Sequence, residues 1–83
     1  MMEEKSIEEL RSMQEILEAA IQREELAYAF YLKAKEKSRT PAEAELFEFL
    51  ANEELTHKAT LSRQLEAIQA QVEIDRALSY DVY

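Results

Sequence analysis

The chain has 83 residues, with no Cys, no Gly, one Pro and a formal net charge of −8. The lack of Cys excludes disulfides, iron–sulfur clusters and thiolate zinc sites. The acidic balance argues against nucleic acid and anionic membranes as partners and favours the approach of cations.

A chain of this length is one small domain or part of one, and a lone helical pair buries too little surface to do without self-association. Its longest purely apolar run, Leu26 to Leu32, is far too short to span a bilayer. Met1 to Glu9 is acidic and has no apolar signal region, so the expected location is cytoplasmic.

Ser6-Ile7-Glu8-Glu9 reads as a capping box, with Ser6 as the N-cap and Glu9 at the third helical position. Apolar residues then recur at Ile7, Leu10, Met13, Leu17, Ala20, Ile21, Ala27, Tyr28 and Tyr31. Their spacing, close to 3.5 residues, is that of helices packed at shallow angles in bundles. Lys33, Lys35, Lys37 and Arg39 gather where cations suit the end of a helix dipole. A first helix is therefore predicted over residues 7–38. Thr40-Pro41-Ala42-Glu43 is a second capping box with Pro at its preferred first position, and so short a connection predicts an antiparallel hairpin. The second helix carries Leu46, Phe47, Leu50, Leu61, Leu65, Ile68 and Val72 on one stripe and is predicted over residues 41–75. Residues 1–75 thus form one helical hairpin; the tail, 76–83, shows no clear period and is left unassigned. The fold class is all-α: a two-helix hairpin offers two walls of a four-helix bundle, and a second hairpin supplies the others.

Three ionisable residues interrupt the stripes. With Leu17 at zero and about 100° per residue, Glu24 falls near −20°, central to the first stripe, whereas Glu25 falls near 80°, where a solvated carboxylate is expected. With Leu50 at zero, Glu54 falls near 40° and His57 near −20°, both inside the second stripe, and Glu53 lies at its edge near −60°. Glu54 and His57, three residues apart, project from neighbouring positions on one helical face. In a hairpin turning near residue 40, Glu24 lies level with both. Buried ionisable groups are costly unless paired or bound to metal, so two readings stand: half of a di-metal carboxylate site, or an internal hydrogen-bonded network. Leu26 and Phe30, with Ala19 and Ala34, form an apolar strip on the outer face of the first helix and suggest a second interface.

The patterns Glu24-x-x-Ala27-x-x-x-Tyr31 and Glu54-x-x-His57 followed by an apolar helix resemble the ferritin-like superfamily, most closely two-helix encapsulated ferritins and rubrerythrin-like half-ferritins. The resemblance covers most of residues 14–68. It implies a di-iron bundle in which two chains each supply Glu24, Glu54 and His57, giving one iron per chain at a dimer interface. The implied activity is that of a ferroxidase in iron handling, storage or detoxification, with Fe(II) and dioxygen or peroxide as reactants. Glu54 would bridge the ions, Glu24 chelate and His57 bind terminally, with Tyr31 a candidate to hydrogen-bond a ligand carboxylate. The implied assembly is a homodimer at least, or a ring of dimers. Family members of the encapsulated kind sit inside an encapsulin-type shell, a protein nanocompartment. The end of this chain, Leu78-Ser79-Tyr80-Asp81-Val82-Tyr83, lacks the Gly-containing apolar peptide that would support shell targeting. At the places of the family's metal-gathering entry residues this chain has Arg23, Leu26 and Phe30, and the rubredoxin-type Cys domain of peroxidase rubrerythrins is absent. The alternatives are an acidic dimerisation module without catalysis, or a manganese or zinc site used for assembly or sensing.

Overall fold

A computed structural model describes residues 6–80. Residues 1–5 of the expected hairpin domain and residues 81–83 of the tail lie outside the described residues. Two helices, α1 (Ile7–Glu36) and α2 (Pro41–Tyr80), pack along their lengths as an antiparallel hairpin with extents of 67 × 22 × 15 Å. The described residues contain no strand.

Side chains start both helices. Ser6 Oγ accepts from Glu9 N at 3.1 Å, and Thr40 Oγ1 accepts from Glu43 N at 3.1 Å. Glu43 returns the favour of the second box one residue early: its Oε2 accepts from Arg39 N at 2.7 Å, so the donor before the cap is satisfied. α1 ends at Glu36, two residues short of the predicted stop, because its last carbonyls are taken up locally. Lys37 N donates to Lys33 O and Ala34 O, Ser38 N donates to Lys35 O, and Ser38 Oγ donates to Ala34 O. The reversal needs no glycine, as no residue here has a positive φ. α2 runs on to Tyr80, through the part of the tail that the apolar period left unassigned.

The core is thin. Leu10, Ala51 and Val72 are the buried apolar residues among those described. Every predicted stripe residue of α1 is buried or half-buried, from Ile7 to Tyr31. On α2 the packed flank is turned away from Leu46, which is 53% exposed, toward Ala51. The α2 stripe is wider than one neighbouring helix can cover, so α1 takes one flank and leaves the other open. Two interhelical ion pairs fix the register, Lys35–Glu48 at 3.5 Å and Glu25–Lys58 at 2.9 Å. They lie ten residues apart on each helix (25 to 35, 48 to 58), as two straight antiparallel rods require. Leu26 and Phe30 are 72% and 64% exposed on the outer face of α1; Ala34, expected beside them, is half-buried under the turn. No described helix is long and apolar enough to cross a membrane.

Candidate metal centre

Glu24 on α1 and Glu54 with His57 on α2 meet near the middle of the hairpin. Each offers a ligand atom, and those atoms all lie within 4.8 Å of one another. His57 Nδ1 is 3.4 Å from Glu24 Oε2 and 3.8 Å from Glu54 Oε2. The two carboxylates are largely shielded, with side chains 23% and 18% exposed. His57 sits inside the predicted stripe but is 54% exposed, because it belongs to the α2 flank that α1 does not cover.

The sequence accounts for this placement. Ala51, one turn before Glu54 on α2, is 1% exposed and lets the helices approach closely at this level. The three-residue step from Glu54 to His57 brings both onto adjoining surface of α2. Glu24 then enters from α1 at the same height because the Thr40-Pro41 start fixes where α2 begins.

Two carboxylates side by side resist ionising together. The Glu54 carboxyl is held above the ordinary carboxylate range, first by a hydrogen bond with Glu24, then by its burial and by the charge of Glu24; His57 acts in the opposite direction. That hydrogen bond exists only while a proton is shared. Glu24 Oε2 is a buried acceptor that no hydrogen-bond donor satisfies. A buried oxygen without a partner is expensive, and a cation removes the cost where a proton otherwise would.

The donor set fits a divalent cation. Ligand atoms about 2.1 Å from one ion are at most roughly 4.2 Å apart, so a set within 4.8 Å closes on an ion with small side-chain rotations. Two carboxylates and an imidazole suit iron, manganese or zinc. Three protein ligands fall short of the six that a hard octahedral ion takes, and the exposed side of His57 is where further ligands have room.

Tyr31 is half-buried on the same face of α1 as Glu24, with its ring edge-on to Phe30 at a centroid distance of 5.4 Å. Glu25, expected to be merely solvated, is 51% exposed yet accepts a hydrogen bond from Lys58 Nζ across the hairpin. Lys58 and Ala51 carry no mark in the apolar period. The one resembled an ordinary surface charge and the other a filler, although Lys58 immediately follows His57. A separate open cleft of about 380 Å³, lined by Ala34, Lys37, Ser38, Arg39, Glu43 and Phe47, lies at the turn and contains none of the three ligand candidates.

No curated protein and no solved structure matches the chain. The family model for rubrerythrin matches residues 15–83, taking in most of α1, all of α2 and all three ligand candidates. This match extends over most of the chain, and the all-α hairpin agrees with it: the chain belongs to the rubrerythrin family, in the ferritin-like superfamily.

Proposed function

We propose that the chain is a ferroxidase, oxidising Fe(II) to Fe(III) at a di-iron site that two hairpins complete together. Rubrerythrin-family proteins typically bind iron. The observation that carries the finer reading is Glu24 Oε2, a buried oxygen without a hydrogen-bond partner, aimed into a set of converging Glu and His ligands. The open side of the set supports the need for a second chain: His57 is half-exposed on the same flank of α2 as Leu46, three turns away, and no described residue of its own chain covers that flank.

Iron held by these residues would supply the redox chemistry, the one-electron oxidation of each ferrous ion with dioxygen or peroxide as the acceptor. The protein's part is to hold and discharge. The Glu54 carboxyl, whose hold on its proton is strengthened by Glu24 and by burial, would give that proton up to a cation, so loading would release protons. His57 presents its Nδ1 toward both carboxylates and would add an imidazole donor that tolerates either oxidation state. Glu54, the most shielded of the three, would bridge, with Glu24 as chelating and His57 as terminal ligand. A covering hairpin would exclude water from the exposed side of His57. Storage of the ferric product, a ring of dimers and residence in an encapsulin-type shell remain further elements of this proposal.

The test is stopped-flow Fe(II) oxidation with metal content and oligomer mass measured on the same samples. Glu24→Ala and His57→Ala are each expected to abolish rapid oxidation while helicity is retained, and the wild-type chain to hold one ion per chain in an even-numbered oligomer. Unchanged oxidation in both variants removes the reading.

A second reading has its own support. The raised Glu54 carboxyl beside Glu24 would hold a proton between the two without metal, which is what an acidic dimerisation module with an internal polar network would use. It predicts that dialysed protein keeps no stoichiometric metal and that its oligomer ignores chelators. A manganese or zinc site for assembly or sensing predicts retained metal without oxidation, and anomalous scattering at two wavelengths separates zinc from iron.

A further inference from the structure

Lys58 follows His57 in the chain and Glu25 follows Glu24, and these two neighbours of the cluster meet across the hairpin. Lys58 Nζ donates to Glu25 Oε2 at 2.9 Å. This is not the partner that α2 itself offers. Glu54 stands four residues before Lys58, the order in which a Glu–Lys pair on one helix is most favourable. Glu54 also lies beside Glu24, so the two carboxylates are a stronger attraction than either alone. An unrestrained Lys58 ammonium, a compact charge on a flexible stem, would be drawn to the same oxygens that a metal ion takes. It would be a competitor built into the chain. In the structure, the side chain that faces Glu24 and Glu54 from α2 is His57, and Lys58 is engaged elsewhere.

We propose that Glu25 is a positioning residue that holds the Lys58 ammonium off Glu24 and Glu54, leaving those carboxylates free for a divalent cation. The inference rests on the metal-site reading above. Glu25 lies about 100° round α1 from Glu24, so drawing Lys58 toward it draws the ammonium to the flank of the cluster. Stabilising the hairpin is not enough to account for the pair. Its side chains are 38% and 51% exposed, and exposed ion pairs add little to stability.

The experiment is titration of the full chain with Co²⁺ alone, whose visible absorption reports ligand number and geometry. The set is wild type, Glu25→Gln, Lys58→Met, the double variant Glu25→Gln/Lys58→Met, and Glu53→Gln as a control. Glu53 is exposed and next to Glu54, so its loss removes one charge near the cluster without releasing a lysine. Because an i,i+4 pair shifts an equilibrium by roughly twofold and a second carboxylate strengthens it, Glu25→Gln is expected to weaken Co²⁺ binding about three- to tenfold. Lys58→Met and the double variant should bind at least as tightly as wild type, with the wild-type spectrum. Glu53→Gln should lose clearly less than Glu25→Gln. Circular dichroism on each sample checks that the helices persist.

Equal weakening in Glu25→Gln and the double variant overturns the proposal, as does weaker binding in Lys58→Met. Both results would make the pair a clamp. Equal losses in Glu25→Gln and Glu53→Gln overturn it in favour of a general field effect, and so does an unaffected Glu25→Gln. A wild-type chain with no stoichiometric Co²⁺ spectrum removes the metal-site reading itself, and this proposal with it.

Discussion

Ala51→Leu tests whether close approach of the helices is what assembles the cluster. Ala51 is 1% exposed and lies one turn before Glu54, at the level where α1 presents Glu24. A leucine there has no cavity to occupy, so the helices must separate or the side chain must leave its preferred rotamer. Overpacking of this kind costs about 1–3 kcal/mol. For a chain of this size the total stability is expected to be roughly 4–12 kcal/mol, so the loss is a visible fraction of it. At about 1.4 kcal/mol per tenfold, the folded-to-unfolded ratio should fall by roughly fivefold to 150-fold.

The metal site should suffer further. A set of ligand atoms within 4.8 Å closes on one ion, whereas separating α1 from α2 by even about an ångström breaks coordination distances held to roughly 0.2 Å. Urea denaturation of the metal-free protein, at one fixed protein concentration because association alters apparent stability, gives the first number. Co²⁺ titration gives the second. Ala51→Ser, of nearly the same size, should change either by much less. If Ala51→Leu keeps both wild-type stability and wild-type affinity, close packing at residue 51 does not set the geometry of the site.

The raised Glu54 carboxyl gives a pH prediction. Its folded-state value lies above its unfolded one, so the folded chain holds the extra proton in the interval between them. Stability of the metal-free protein should therefore fall as pH rises from the ordinary carboxylate range through the raised value, and Glu54→Gln should remove that part of the slope in thermal melts; an unchanged slope refutes the shared proton. Metal affinity should run the other way, increasing over the same interval as the proton leaves. Leu46→Lys places a charge on the open flank of α2, three turns from His57. We expect it to lower oligomer mass in sedimentation and to reduce metal per chain, and an unaffected oligomer would exclude that flank as the interface. Thr40→Ala removes the acceptor of Glu43 N and should cost about 1 kcal/mol in urea melts. A loss near zero would show that the Glu43 bond to Arg39 N suffices to start α2.

The hairpin was legible because its punctuation is local. Ser6, Thr40 and Pro41 act within one turn of their own positions, so their chemistry can be read without knowing what packs on them. The cluster was legible for a related reason: Glu24, Glu54 and His57 are polar where the period demands carbon, and the hairpin puts them level. What escaped depends on rotation and on neighbours. The end of α1 at Glu36 carries no Gly or Pro, so nothing in composition separates it from Ser38; the hydrogen bonds around Lys37 decide it. Leu46 looks like core by hydropathy and is exposed because α1 packs on the far flank of its stripe. Ala51 shows the reverse, a small side chain buried because it is small. The Glu25–Lys58 pair required knowing how each helix is turned about its own axis, which a wheel drawn for one helix leaves undetermined.

The hairpin is 15 Å in its thinnest dimension, little more than the roughly 10–12 Å diameter of one helix. Such a slab is one layer deep, and a site on its open side has solvent for a wall until another slab arrives. If completion requires that second slab, the concentration of the chain becomes a variable in the rate law. Specific activity would then fall on dilution and rise steeply as chains accumulate or are confined together, so that crowding the protein into a small volume would switch it on without any effector.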